Sequence, residues 1–119
     1  MKAKEYNFKK GRRGEEEARM YLEDKGYELI EQNYVNDLGE IDLIMSDKDW
    51  LVFVEVKYKS DDRLGMPEEM LTKTKLAQVK RVAKLYLVVD KLVQKKFKKY
   101  RIDGVCILGE QIRHYININ

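Results

Sequence analysis

Asp42 and the pair Glu55 and Lys57 are the residues of this 119-residue chain whose types and spacing best suit chemistry. They fall in two neighbouring apolar runs, Gly39-Glu-Ile-Asp-Leu-Ile-Met45 and Leu51-Val-Phe-Val-Glu-Val-Lys57. In an extended strand alternate side chains share a face about 6.5–7 Å apart, so Glu55 and Lys57 point the same way. Leu51 and Phe53 precede them on that face, while Val52, Val54 and Val56 line the other. An acid and a base ending so apolar a run suit a site better than a core.

The chemistry they suit is phosphodiester hydrolysis, which needs an activated water and positive charge at the phosphate. One or two Mg²⁺ ions supply much of this. Mg²⁺ takes hard oxygen ligands and keeps several waters, so two or three carboxylates suffice. Asp42 and Glu55 can converge on one ion if the turn at Asp47 makes a hairpin, with Ile41 and Leu43 expected on the face opposite Asp42. A peptide carbonyl near Val56 could add a ligand, and Lys57 would polarise the water or hold the phosphate. Each residue also has a plainer reading. Asp42 suits a solvent-facing strand position, Glu55 and Lys57 suit a same-face ion pair, and an early-helix acid such as Glu15 is favoured by the helix dipole.

These residues need elements to hold them. A first helix is expected over about 8–25, with Asn7 as its cap and Gly26 just past its end. Ala18, Tyr21 and Leu22 form its apolar stripe, which also carries Glu15 and could bring that carboxylate to the same site as a further ligand. Three strands follow, over 27–34, 39–45 and 50–57, separated by the turn signals Asn36-Asp-Leu-Gly39 and Ser46-Asp-Lys-Asp49. A second helix is expected from Pro67 to Leu92, burying Leu76, Val79, Ala83, Tyr86 and Leu87. Two last strands, about 100–108 and 111–118, complete an α-βββ-α-ββ order. The fold class is therefore α/β, one domain over 1–119 with a mixed five-stranded sheet flanked by helices.

Composition narrows the function. No run of about 18 apolar residues offers a membrane span. One cysteine, Cys106, excludes an internal disulfide and reads as core. A cytoplasmic location is expected, since the basic N-terminus has no apolar signal core behind it. Between Lys73 and Arg101 eleven Lys or Arg oppose only Asp90, a net of +10 that leaves −7 for the rest of a chain totalling +3. Such segregation is the footprint of a polyanion binder, although a solvated helix face would read alike. Arg12 and Arg13, between Gly11 and Gly14, are candidate phosphate contacts, as are Lys73, Lys75, Lys80 and Arg81. His114 reads as a strand surface residue.

Several segments together resemble the YraN-like family of small bacterial proteins, in the restriction-endonuclease-like superfamily. They are Gly14-Glu-Glu-Glu-Ala18, Tyr21-Leu22, Gly26-Tyr27, Asn33, Gly39–Ile44, Leu51–Lys57, Gly65-x-Pro67, the basic stretch 73–86 and Ile102-Asp-Gly-Val105. The resemblance implies a restriction-endonuclease-like domain whose Asp…Glu-x-Lys site is Asp42, Glu55 and Lys57, with a helix-borne Glu15 as in similar archaeal Holliday-junction resolvases. It implies a Mg²⁺- or Mn²⁺-dependent endonuclease acting on DNA, branched or damaged DNA included. The alternative is a nucleic-acid-binding module without catalysis that keeps the fold, and a third reading is an interaction domain. The oligomeric state stays open: a small nuclease that cuts two strands symmetrically is often a twofold homodimer, but no exposed apolar stripe in the sequence marks an interface.

Overall fold

The computed structural model describes the backbone of residues 3–119 and the side chains from residue 13 onward. Helix α1 spans Ala3–Asp24, and strands β1 (Glu28–Asn36), β2 (Gly39–Asp47) and β3 (Trp50–Lys59) form an antiparallel meander behind it. Because α1 starts at Ala3, Asn7 lies within the helix and does not cap it, and the Arg12 side chain lies outside the described residues. A loop with a 3₁₀ turn at Pro67–Met70 leads to α2 (Lys73–Val89) and the short α3 (Lys91–Lys96). Strand β4 (Lys99–Leu108) then pairs parallel with β3, and β5 (Gln111–Tyr115) pairs antiparallel with β4. The sheet order is β1-β2-β3-β4-β5, so the mixed α/β architecture and the α-βββ-α-ββ order are as the sequence implies. Among the described residues no helix is long and apolar enough to cross a membrane.

The sheet separates two cores. On one face Ala18 and Leu22 of α1 pack on Leu43, Met45, Val52, Val54, Val56, Val105 and Ile107. On the other, Val79, Val82, Ala83 and Tyr86 of α2 cover Ile41, Ile44, Leu51, Phe53 and Ile102. The alternation of β3 is thus as expected: valines toward α1, Leu51 and Phe53 toward α2.

The second helix and the last strand depart from the expectation, β5 stopping at Tyr115 where the sequence implies a strand to about 118. The helix expected from Pro67 is a separate 3₁₀ turn, because Thr72 caps a new helix, its hydroxyl accepting from the Lys75 N–H at 3.1 Å. Helix α2 then ends at Val89, where Asp90 closes it and caps α3, its carboxylate accepting from Val93 N–H at 3.0 Å. His114 is not at the surface: its side chain is 2 % exposed. Its Nε2–H donates to Asp103 at 2.8 Å, and its Nδ1 accepts from the Lys25 ammonium at 3.2 Å, which fixes the ring tautomer. Strand β5 is an edge of the sheet, and α1 reaches far enough to lay Tyr21 against the His114 ring, with Tyr27 beside it.

Candidate functional site

Asp42 sits where the β2–β3 ladder stops. The last paired residues are Leu43 and Val54, and beyond them the Val56 N–H donates to Asp42 Oδ2 at 2.8 Å. A side chain has replaced a strand partner, which anchors the carboxylate between the two strands. Here β2 breaks its alternation. Ile41 goes to the α2 core and Leu43 to the α1 core, so they do not share a face opposite Asp42 as the period of two implies. The break lies beside Asn33 of β1, whose φ of 55° is a left-handed conformation that Asn tolerates better than most residues.

Glu55, 1 % exposed, follows Phe53 on the α2 face of β3. Its Oε2 is approached by Lys57 Nζ at 3.6 Å and by Lys75 Nζ, from the first turn of α2, at 3.5 Å. Its Oε1 is buried and has no hydrogen-bond partner. Burial and the neighbouring Asp42 push the Glu55 carboxyl up to about 8, against the pull of the two lysines. Glu15, on the sheet side of α1, is held up at about 7 by burial and by Asp42, while hydrogen bonds from Asn33 and Gln32 favour its charged form. Helix α1 comes this close because Gly14 is buried against Tyr58 of β3; a Cβ there would lie 2.9 Å from the Tyr58 Cβ.

Of the residues expected to act together, the structure brings Glu15, Asp42, Glu55 and Lys57 into one electrostatically coupled group. Lys75 joins them as a partner of Glu55 rather than as free basic surface. Arg13 does not join them: it pairs with Glu17 at 2.9 Å and lines a hollow with Tyr21, Gly109 and Glu110. Lys73 and Arg81 are exposed on α2, and Lys80 borders a separate cleft of about 190 Å³ against Phe53 and Tyr100. Sequence reasoning missed Gln32 and noted Asn33 only as part of the family resemblance, since polar residues in an edge strand show no role until the facing helix is known.

Among the described residues no trio of His, Cys, Asp or Glu side chains forms a ready-made metal site. A divalent ion would rest chiefly on Asp42 and Glu55. The residues fit such an ion. A buried carboxylate oxygen with no donor, beside a second carboxylate, is costly unless a proton or a cation compensates it, and the rise of the Glu55 carboxyl to about 8 shows the proton doing so in the absence of an ion. Mg²⁺ bound by two carboxylates and waters is a common arrangement.

The chain matches a family model described as "Uncharacterised protein family UPF0102" over residues 14–107, a span containing all four coupled residues. It is 42 % identical to a UPF0102 protein of Syntrophomonas wolfei over 108 residues, 87 % of this chain and 91 % of that one. It is 41 % identical to one from Lachnoclostridium phytofermentans, covering 83 % and 82 %. A UPF0102 protein of Persephonella marina is 34 % identical over 94 % of each chain.

Proposed function

The chain belongs to the UPF0102 family, and from the Asp42–Glu55 pair beside Lys57 we propose that it is a metal-dependent endonuclease hydrolysing DNA phosphodiester bonds. The observation that carries this reading is the Glu55 Oε1 atom, buried and without a partner next to a second carboxylate. Asp42 and Glu55 are the residues that would hold Mg²⁺ or Mn²⁺, and the bound ion would supply charge neutralisation and a more acidic water. Asp42 is kept in place for this by the Val56 N–H.

Glu15 suits the role of proton acceptor. A carboxyl near 7 is substantially ionised at neutral pH yet basic enough to take a proton from the attacking water. That water's oxygen bonds to phosphorus, the P–O ester bond breaks, and the leaving oxygen takes a proton from solvent. The Lys57 ammonium, within 3.6 Å of Glu55, faces the charge that builds on the phosphate. The resemblance to junction resolvases makes branched or damaged DNA the first substrates to try. Arg12, Arg13, Lys73, Lys80 and Arg81 are proposed phosphate contacts outside the reacting group.

One observation favours a second reading, a nucleic-acid-binding module without catalysis. Lys57 and Lys75 already offset the Glu55 charge, so the pocket does not depend on a metal for compensation. The two readings separate in one comparison. Wild type, Glu55→Ala and Lys57→Ala are incubated with duplex, single-stranded and four-way-junction DNA in Mg²⁺, Mn²⁺ or EDTA. The nuclease reading expects metal-dependent cutting that falls at least 100-fold in both variants. No cutting by wild type, or equal cutting by the variants, refutes it. Salt-sensitive binding that survives EDTA and Glu55→Ala, without cutting, establishes the second reading.

A further inference from the structure

Lys75 stands where helix electrostatics alone would not place a cation. It is the third residue after the Thr72 cap, at the end of α2 whose dipole repels an ammonium. Its side chain is only 25 % exposed and turns inward to Glu55. Its Nζ meets Oε2 at 3.5 Å, and Lys57 Nζ meets the same oxygen at 3.6 Å. One ammonium arrives from the strand and the other from the helix, and both crowd one carboxylate oxygen while Oε1 has no partner. Both separations also exceed the roughly 2.7–3.2 Å of a committed N–H···O bond. The Lys75 contact to Gln78 Oε1 is equally long at 3.5 Å. Each ammonium carries three donors, so both keep donors for an incoming anion.

We infer that Lys75 is a second catalytic lysine, its ammonium and that of Lys57 gripping the two non-bridging oxygens of the phosphate at Glu55. The inference rests on the nuclease reading and names a residue beyond the Asp42, Glu55, Lys57 set. It makes the first turn of α2 one wall of the active site, with the scissile phosphate entering between that turn and β3. Exposed Lys73, two residues earlier, stands at the entrance. Glu55 then exchanges partners on loading: the substrate takes the two ammoniums, and the carboxylate is left for the cation beside Asp42. Lysine suits this task because its compact charge binds phosphate without demanding a fixed fork geometry.

The test reads binding and cutting separately. Duplex and junction DNA are titrated against salt in Ca²⁺, and cutting is timed in Mg²⁺, for wild type, Lys75→Met, Lys75→Gln, Lys75→Arg and the outlying control Lys91→Met. Lys75→Met is expected to flatten the slope of log affinity against log salt by about 0.9, one lost phosphate contact. Its cutting is expected to fall at least 100-fold. Direct Mn²⁺ titration should change less than threefold. Lys75→Arg restores the slope and part of the rate, and Lys91→Met cuts as wild type does. Lys75→Gln must repeat the slope change, which keeps the test decisive should the Met variant not fold. An unchanged slope in Lys75→Met or Lys75→Gln overturns the inference and leaves Lys75 a counter-ion of Glu55, whatever happens to cutting. A changed slope with no cutting by wild type upholds the phosphate contact and refutes the nuclease reading instead.

Discussion

Glu55 weakens the fold and is the residue on which the proposed function turns. Its carboxyl is held near 8 against an ordinary value of 4.5, so the folded chain keeps a proton that the unfolded chain has released. Between those two pH values stability must fall as pH rises, because the native state binds more protons there. Glu55→Gln keeps the shape and removes the charge. In metal-free buffer at pH 8 it is expected to be more stable than wild type by about 1–3 kcal/mol, the scale of an unsatisfied buried group. The gain should shrink toward pH 4.5. Thermal melts across that range check it, and a Gln variant less stable than wild type at pH 8 refutes the account. Added Mn²⁺ should raise the wild-type midpoint and leave that of Glu55→Gln where it is. Glu55 and Lys57 were readable as same-face neighbours because strand alternation is local, whereas the facing of Asp42 was not, because β2 breaks its alternation there. The partner of Lys75 was not, because which strand residue meets a helix's first turn depends on how the helix lies across the sheet.

At the scale of elements, the site depends on α1 lying close to β3. Gly14, buried against Tyr58, permits this approach, and Glu15 is its chain neighbour. Gly14→Ala adds a methyl 2.9 Å from the Tyr58 Cβ, an atom fixed to the strand backbone that cannot rotate away. Alanine favours a helix by about 1 kcal/mol over glycine, but overpacking costs about 1–3 kcal/mol. The expected outcome is a net loss of about 1 kcal/mol together with a tenfold or greater fall in cutting, since the helix must move and carry Glu15 with it. A melt and a rate measurement check this, and a variant that is stabilised with full activity removes the argument. Elsewhere, the caps decided what periodicity left open. The apolar stripe of α2 was readable from Leu76 onward, but its start at Lys73 follows from Thr72 capping rather than from Pro67.

For the whole molecule, the α1 face of the sheet carries a polar network that serves stability. Asp103, fully buried, accepts from Arg101 Nε at 2.9 Å, His114 Nε2 at 2.8 Å and the Asn117 N–H at 3.0 Å. Arg101 reaches on to Tyr27 at 2.8 Å and to Asp47 at 3.2 Å, tying β4, β5, the end of β2 and the residue before β1 together. Burial works against the charged form of Asp103, but these donors hold its carboxyl below the ordinary range. Its contribution is therefore complete above that range and fades as pH falls below it. Removing the guanidinium with Arg101→Met leaves a buried carboxylate short of donors, an expected loss of about 3–5 kcal/mol at pH 7 that narrows at pH 3. Urea titrations at both pH values check it. Mn²⁺ affinity of the folded fraction should be unchanged, because this network lies across the sheet from Glu55.

The sequence by itself determined the mixed α/β order, the strands that hold Asp42, Glu55 and Lys57, and the helix stripe that carries Glu15. All follow from periodicities of two and 3.6 residues, which need only neighbours along the chain. Only the tertiary structure decided that Lys75 turns in to Glu55 and that His114 is buried under α1. It alone also showed that β2 changes faces at Asp42. Each of these depends on the distance and angle between elements remote in sequence, and no local pattern encodes them.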